Sequence, residues 1–452
     1  MRILHTADWH LGHTLRDHSR QAEHELFLRW LVQTVVERHV DALLLAGDVF
    51  DSANPPPSAL RTWFRFLGEL KQARPSVQVV VIAGNHASAA RLVAPRELLA
   101  AFDVRVVGAL ERGPDGRLQC DDLLVPLRDA AGMVRAVCVA IPFLRASDVL
   151  ALVPQSPTNA AGTDAPVVAN GDYVLPRPGP AVAADGAAVG DPLIDGMRAL
   201  HSELFAAARA LQQPGQALVA MAHGYLVGGA LSELSERKVL GGNQHALPID
   251  LFPDDCAYVA LGHLHRPQPL AGREHVRYSG SPIPLSLPER LHPHHVVFAD
   301  FVEGAREKVW QLRVPRFVPM LRVPEHGASS PEEALAAAAA LPARDATMPE
   351  DLRPLVEFAV SMPLPSPQLA ERIARVLADR NVRLVRIEIA SDVSPRGDDA
   401  AFAGERPAEL LSLQPEEVFA RCYAKAHAGP VPEPMLAAFR ELLDEVQHGG
   451  PA

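Results

Sequence analysis

Hydrophobic runs in this chain are short, and several end abruptly on polar residues. RILHTAD (2–8) predicts a strand, and the stretch from about 21 to 38 sets Leu26, Phe27, Trp30, Leu31, Thr34 and Val35 at helical spacing. DALLLAGD (41–48) predicts a second, buried strand. PPPSALRTWFRFLGEL opens on prolines that favour a helix start and continues as a helix to about Arg74, and VQVVVIAG (77–84) predicts a third strand. This βαβαβ order predicts a mostly parallel sheet with helices on its faces.

Shorter strands are expected between Leu118 and Ile141. Residues 152–194 then change character: seven prolines fall from Pro154 to Pro192 among Ala, Gly and Asp, with no sustained periodicity, which predicts a loop or disordered insertion. A helix is expected around Met197, Leu200, Leu204 and Leu211, followed by strands ALVAMAHG (217–224) and AYVALGHLH (257–265). Beyond about 315 come an alanine-rich helix (331–341), a strand (355–362), a capped helix (366–380) and a strand (382–389), a small second domain over 316–395. After a loose Gly/Asp/Ala linker (396–404), the segment 405–448 predicts two amphipathic helices. One has Pro415, Glu416 and Glu417 in its first turn, and the other carries Leu436, Phe439, Leu443 and Val446 on one face. Their pattern alone leaves open whether they pack on their own domain or on a partner.

The 452 residues suffice for more than one domain, and 48% hydrophobic with 21% charged residues is ordinary for a globular protein. No apolar run approaches the ~18 residues of a membrane span. The N-terminal MRILHTADWH has no apolar signal core, and cleavage there would remove candidate site residues, so a cytoplasmic location is expected. Cys120, Cys138, Cys256 and Cys422 are scattered, which argues against a disulfide framework and a thiolate zinc site. A net charge of −11 argues against a broad basic surface; positive charge for a nucleic acid would have to be local, or come from metal ions or a partner.

The polar strand ends carry the candidate chemistry. They are Asp8-Trp9-His10, Gly47-Asp48, Gly84-Asn85-His86, His223-Gly224 and Gly262-His263-Leu264-His265. Ligands of open α/β sheets bind beyond the carboxyl ends of the strands, so five strand ends aim at one rim. Imidazole and carboxylate together suit Mn, Fe or Zn. The candidates outnumber the needs of one tetrahedral ion and suit two ions with a shared carboxylate, an arrangement that clamps both oxygens of a phosphoryl transfer.

In this order, ADWHLG, GDVFD, GNH, AHG and GHLH resemble the motifs of the calcineurin-like metallophosphoesterases. The proline run after GDVFD, YSGSPIPLS (278–286), the LRPLVEF…VRLVRIEI unit and the closing PEEVFARCY…AAFRELLDEV are similar to the SbcD family within them. The resemblance implies a metallophosphoesterase β-sandwich flanked by helices over 1–315, with the 152–194 insertion unmatched, a small α+β capping domain and a C-terminal helical pair that grips a partner. It implies that Asp8, His10, Asp48 and His265 hold one metal, and that Asp48, Asn85, His223 and His263 hold a second, with Asp48 bridging. Mn²⁺ is the implied ion, and His86 is implied to stand beside the scissile phosphate rather than bind metal. It further implies a DNA nuclease, exonuclease on duplex ends and endonuclease on single strands and hairpins. That nuclease would work in repair and recombination as a homodimer inside a heterotetramer with an SbcC-type coiled-coil ATPase. The chain itself has no G-x-x-x-x-G-K-[ST] motif for ATP.

Ala87 departs from the family, which usually has an acidic residue after this His; Asp51 is a candidate substitute for orienting His86. His5 is expected to be packed, His13 to be near the site or DNA, and His292, His294 and His295 to sit on a turn and a strand edge. Ser279, Gly280 and Ser281 fit either phosphate contacts or a plain turn. Two other functions share the metal motifs: a phosphoesterase for small nucleotides or phosphoproteins, and a DNA-end tethering scaffold with weakened catalysis.

Overall fold

The computed structural model describes residues 1–86, 88–114, 117–152, 191–230, 246–362 and 367–390, and a few isolated positions between 419 and 439. The first part runs β1 (Arg2–Thr6), a hairpin of β2 (Thr14–Leu15) and β3 (His18–Ser19), α1 (Gln21–Glu37), β4 (Ala42–Ala46), α2 (Pro57–Ala73) and β5 (Gln78–Ile82). It continues through α3 (Ala89–Val93), α4 (Arg96–Ala100), β6 (Val104–Val107), β7 (Leu124–Arg128), β8 (Val134–Ile141) and α5 (Ala146–Leu152). Next come α6 (Pro192–Leu211), β9 (Ala217–His223), β10 (Tyr258–Gly262), β11 (Gln268–Leu270), β12 (Arg273–Tyr278), β13 (His295–Val302) and β14 (Ala305–Arg313). The final part is β15 (Met320–Val323), α7 (Pro331–Ala340), β16 (Leu355–Ser361), α8 (Pro367–Leu377) and β17 (Arg383–Ala390).

Two six-stranded sheets, ordered β14-β13-β1-β4-β5-β6 and β11-β12-β10-β9-β8-β7, form a sandwich. Side chains alternate across each strand. Ile3, Leu44, Val80 and Ile82 therefore pack with Val139, Met221 and Leu261 of the second sheet. Leu4, Leu43, Leu45 and Val81 face the other way, onto Phe27 and Leu31 of α1 and Trp63 and Phe66 of α2. Burial on both faces is why these strands read as unbroken apolar runs.

The first sheet is less parallel than the βαβ pattern predicts. β1, β4, β5 and β6 are parallel, but β13 runs antiparallel to β1 and β14 antiparallel to β13. The β13–β14 turn is Glu303-Gly304, both at positive φ, which matches the strands' twist. The predicted strands also stop short of the polar residues: β1 ends at Thr6, β4 at Ala46 and β10 at Gly262, so Asp8, Asp48 and His263 stand in the turns beyond.

The third sheet, β15-β16-β17, is parallel throughout and has one strand, β15, that periodicity does not reveal. Val356, Phe358 and Val360 of its middle strand pack on Ala334 and Ala338 of α7 and on Leu369, Ile373 and Leu377 of α8. Ser330 caps α7 in a reciprocal box with Glu333. This small body is fastened to the sandwich by a buried cluster of Leu15, Leu287, Val318, Met320 and Leu355, and by His18 Nε2 donating to the Leu384 carbonyl at 2.7 Å.

Residues 153–190 of the insertion and most of the 405–448 pair lie outside the described residues; α6 begins at Pro192, inside the range read as insertion. Within the C-terminal pair, the Phe419 and Phe439 rings stack at 4.2 Å. No helix among the described residues is long and apolar enough to cross a membrane.

Candidate metal centre

Trp9 shows how the sandwich holds its rim. It is fully buried, meets Phe27, Trp63 and Phe66 edge-on at 5.6, 5.9 and 5.2 Å, and donates from Nε1 to Thr6 Oγ1 at 2.9 Å. His24 Nε2 donates to the Trp9 carbonyl at 2.8 Å. The residue between Asp8 and His10 thus nails their loop to the helix layer. Asp8 (φ 55°), His10 (φ 49°), Asp48 (φ 44°) and His263 (φ 111°) are all held at positive φ. For residues other than glycine this costs on the order of 1 kcal/mol or more each, and such strain gathers at functional sites. Two glycines admit the close packing: a Cβ on Gly47 (φ 92°) would fall on the His223 ring, and one on Gly262 would fall on the Ala46 carbonyl.

Hydrogen bonds draw the strand ends together. The His10 backbone N–H donates to the Asp48 carbonyl (3.0 Å), the His263 N–H to the Asp8 carboxylate (3.0 and 3.1 Å), and the His86 N–H to Asp48 Oδ1 (3.0 Å). Asn85 Oδ1 lies 3.0 Å from both His223 Nε2 and His263 Nδ1, and Asp48 Oδ2 lies 3.3 Å from His223 Nε2. Donor atoms about 2.1 Å from one cation, spread by the angles of octahedral or tetrahedral coordination, stand roughly 3.0–3.4 Å apart. The observed spacings match.

Three sets each offer ligand atoms within 4.8 Å of one another: Asp8, His10 and His265; His10, Asp48 and His86; Asp8, Asp48 and His223. Asp8, His10 and Asp48 each belong to two of the three. His10 Nε2 is buried without a hydrogen-bond partner, a polar atom that a cation would satisfy. Two histidines have Nδ1 engaged, His223 on the Ala46 carbonyl (2.9 Å) and His265 on Glu289 (3.1 Å), so Nε2 is the ring nitrogen each could offer to a cation. Nitrogen and oxygen donors without thiolate fit a divalent cation of the Mn, Fe or Zn type.

Burial and close pairing of carboxylates with imidazoles set the electrostatics of this cluster. Burial raises Asp8 to about 7. Burial would also raise Asp48, but His223 and His10 outweigh it and hold that carboxyl well below the usual range. Burial would lower His223, but Asp48 and Asp8 outweigh it and raise the imidazole to about 8. Burial lowers His10 to about 4 and, with the nearby His223, lowers His263 to about 3.

All eight residues named from the strand ends therefore meet at one rim. His263 falls outside the three sets and reaches the site through Asn85 and Asp8. His86 falls inside one of them; its Nδ1 faces the backbone carbonyl of Asp51 at 3.1 Å. The Asp51 carboxylate, expected as a substitute partner for His86, instead holds His10 (3.2 Å) and His13 (3.0 Å). Ala87 lies outside the described residues. His5 is packed, bonded to the Tyr258 hydroxyl at 2.8 Å, and His13 sits at the site with its Nε2 on the Leu285 carbonyl. Ser279 and Ser281 are fully buried, so their hydroxyls are structural rather than aimed at a phosphate. Spacing does not single out Glu289, because Pro288-Glu289 reads as an ordinary helix start; it opens a 3₁₀ turn, Pro288–Leu291.

Two cavities meet at His86. One, of about 230 Å³, is lined by His10, His13 and His265 and walled by Val385 and Arg386 of the small domain. The other, of about 1130 Å³, runs past Asn85 with Arg96, Arg117 and Arg145 against Glu111, Asp121 and Asp122.

Residues 1–121 match the calcineurin-like phosphoesterase model, and residues 316–427 match the type 5 capsule protein repressor C-terminal domain. The chain is 39% identical to the SbcD subunit of the nuclease SbcCD from Rhodobacter capsulatus, covering 94% of both chains. It is 37% identical to the SbcD subunit from Escherichia coli K12, covering 71% of this chain and 70% of the other. It is also 46% identical over 88 residues to the DNA double-strand break repair protein Mre11 of Methanopyrus kandleri, 19% of each chain. Identity of this extent with the SbcD subunits, together with a rim built from the phosphoesterase motifs, means that the chain belongs to the SbcD family of nuclease subunits.

Proposed function

We propose that this chain is the metal-dependent nuclease subunit of a DNA-processing complex and cuts phosphodiester bonds of DNA with two divalent cations, Mn²⁺ in the first instance. Asp8, His10, Asp48 and His265 hold one cation, and Asp48, Asn85, His223 and His263 hold the other. The single observation that carries this is that Asp8, His10 and Asp48 each belong to two of three overlapping ligand sets drawn from five strand ends.

When bound, such a pair of cations supplies Lewis-acid charge neutralisation on the phosphate and lowers the pKa of water. The chain's own residues do the rest. Asp48 lies between the sets and ties them together. The His86 backbone is fixed by Asp48, and its Nδ1 by Asp51, which leaves Nε2 to face the substrate. There it stabilises developing charge or donates a proton to the leaving oxygen. The small domain's Arg386 narrows the approach over His86, and the larger cavity gives a strand room to pass. Its mixed charges supply no dense basic track, in keeping with the chain's net −11. DNA affinity is therefore shared with a partner, an SbcC-type ATPase, in a heterotetramer built on a dimer of this chain.

The test compares wild type, Asp48→Asn and His86→Gln on hairpin DNA, linear duplex and bis(p-nitrophenyl) phosphate, with Mn²⁺ or EDTA. Asp48→Asn should lose on the order of 10³-fold on every substrate, and His86→Gln on the order of 10²–10³-fold on DNA. Cleavage that survives EDTA, or that Asp48→Asn leaves intact, contradicts the reading.

A further inference from the structure

The loop that carries YSGSPIPLS and runs on to Glu289 folds into a buried polar node around that carboxylate. The Glu289 side chain is fully buried. Its carboxylate accepts from the Leu285 N–H (2.9 Å), Ser286 Oγ (3.2 Å) and Ser281 Oγ (3.3 Å), and faces His265 Nδ1 at 3.1 Å. His294 pins the same loop from behind, its ring nitrogens 2.7 and 3.0 Å from the carbonyls of Ser281 and Glu289.

A carboxylate taken out of water is unfavourable unless donors surround it. Three donors of its own loop do so here, and they also fix its direction. A further contact reaches another element, the GHLH turn, 24 residues away. A carboxylate there accepts Nδ1–H, which selects one tautomer and leaves the His265 lone pair on Nε2, toward Asp8 and His10. On the other oriented histidine, His223, the Nδ1 faces a neutral backbone carbonyl instead.

We propose that Glu289 is the positioning residue of the metal centre: it fixes the ring and the proton of His265 so that Nε2 meets the cation shared with Asp8 and His10. This rests on the metal-centre reading above and deepens it. Ser281 and Ser286 hold the carboxylate in turn.

The experiment titrates Mn²⁺ alone into the metal-free full-length chain, with free Mn²⁺ followed by its electron paramagnetic resonance signal. Wild type, Glu289→Gln, His265→Ala, the pair of both, and the double variant Ser281→Ala/Ser286→Ala are compared, each checked for its melting curve. Glu289→Gln should bind one Mn²⁺ about 10–100-fold more weakly. In the His265→Ala background the same change should have no further effect, because the two act as one unit. The double serine variant should weaken binding in the same direction by a smaller factor, and it carries the test should Glu289→Gln not fold. Wild-type affinity in Glu289→Gln, or in the serine variant when that stands in for it, overturns the proposal. So does an undiminished Glu289→Gln effect in the His265→Ala background. A wild type that binds no Mn²⁺ instead brings down the metal-centre reading on which the proposal rests.

Discussion

The sheet that carries the metal centre and the sheet of the small domain are built from the same material. Both pair short apolar parallel strands and cover one face with helices. They differ where their strands end. In the first, Asp8, His10 and Asp48 leave the strands at positive φ; in the described residues from 316 to 390, only Gly327 has positive φ. Their buried charges differ as well. Glu357 of the small sheet is paired with Arg322 and Arg386, cation against anion. Asp8 and Asp48 have imidazoles around them, and no arginine or lysine pairs with either among the described residues. The small sheet spends its polar groups on holding itself together, whereas the rim leaves strain and titratable donors that folding alone does not require.

This contrast can be broken most forcefully at the two buried aromatic anchors. Trp9→Ala and Phe358→Ala each open a cavity and should destabilise by about 3–5 kcal/mol. Only Trp9→Ala should also weaken Mn²⁺ binding, because Trp9 fixes the loop between Asp8 and His10. Chemical denaturation and Mn²⁺ titration on the two variants check this; equal metal affinities would erase the distinction.

The next effect is one of pH. Asp8, raised to about 7, and His223, raised to about 8, must both give up their protons to act as ligands. Protons and metal compete, so Mn²⁺ affinity should rise with pH from 6 to 8, by about tenfold per unit for each proton released. Calorimetric titrations across that range test the sign, and a flat or falling affinity would mean that these groups do not bind the ion. The smallest effect belongs to the small sheet. Ser330→Ala removes the α7 capping box and should cost about 1 kcal/mol, with per-molecule cleavage of bis(p-nitrophenyl) phosphate unchanged.

The strand ends are readable from sequence because burial on both faces turns β1, β4, β5, β9 and β10 into apolar runs, after which any Asp, Asn or His stands out. β13 and β14 are harder. β14 is exposed over much of its length, and its partner's identity depends on a contact with β1 some 290 residues away. β15 is four residues long, too short to show a period. Glu289 is invisible for another reason: its loop contacts are local, but its meaning lies in His265, which no spacing rule connects to it. The expectation for Asp51 is half right, since the residue does reach His86, through its backbone, while its carboxylate serves His10 and His13.

The most direct measurement is anomalous diffraction from crystals soaked in Mn²⁺. The account predicts two peaks about 3.5–4 Å apart, one beside Asp8, His10 and His265, the other beside Asn85, His223 and His263, with the Asp48 carboxylate touching both. A single peak, or two that Asp48 does not bridge, would contradict it.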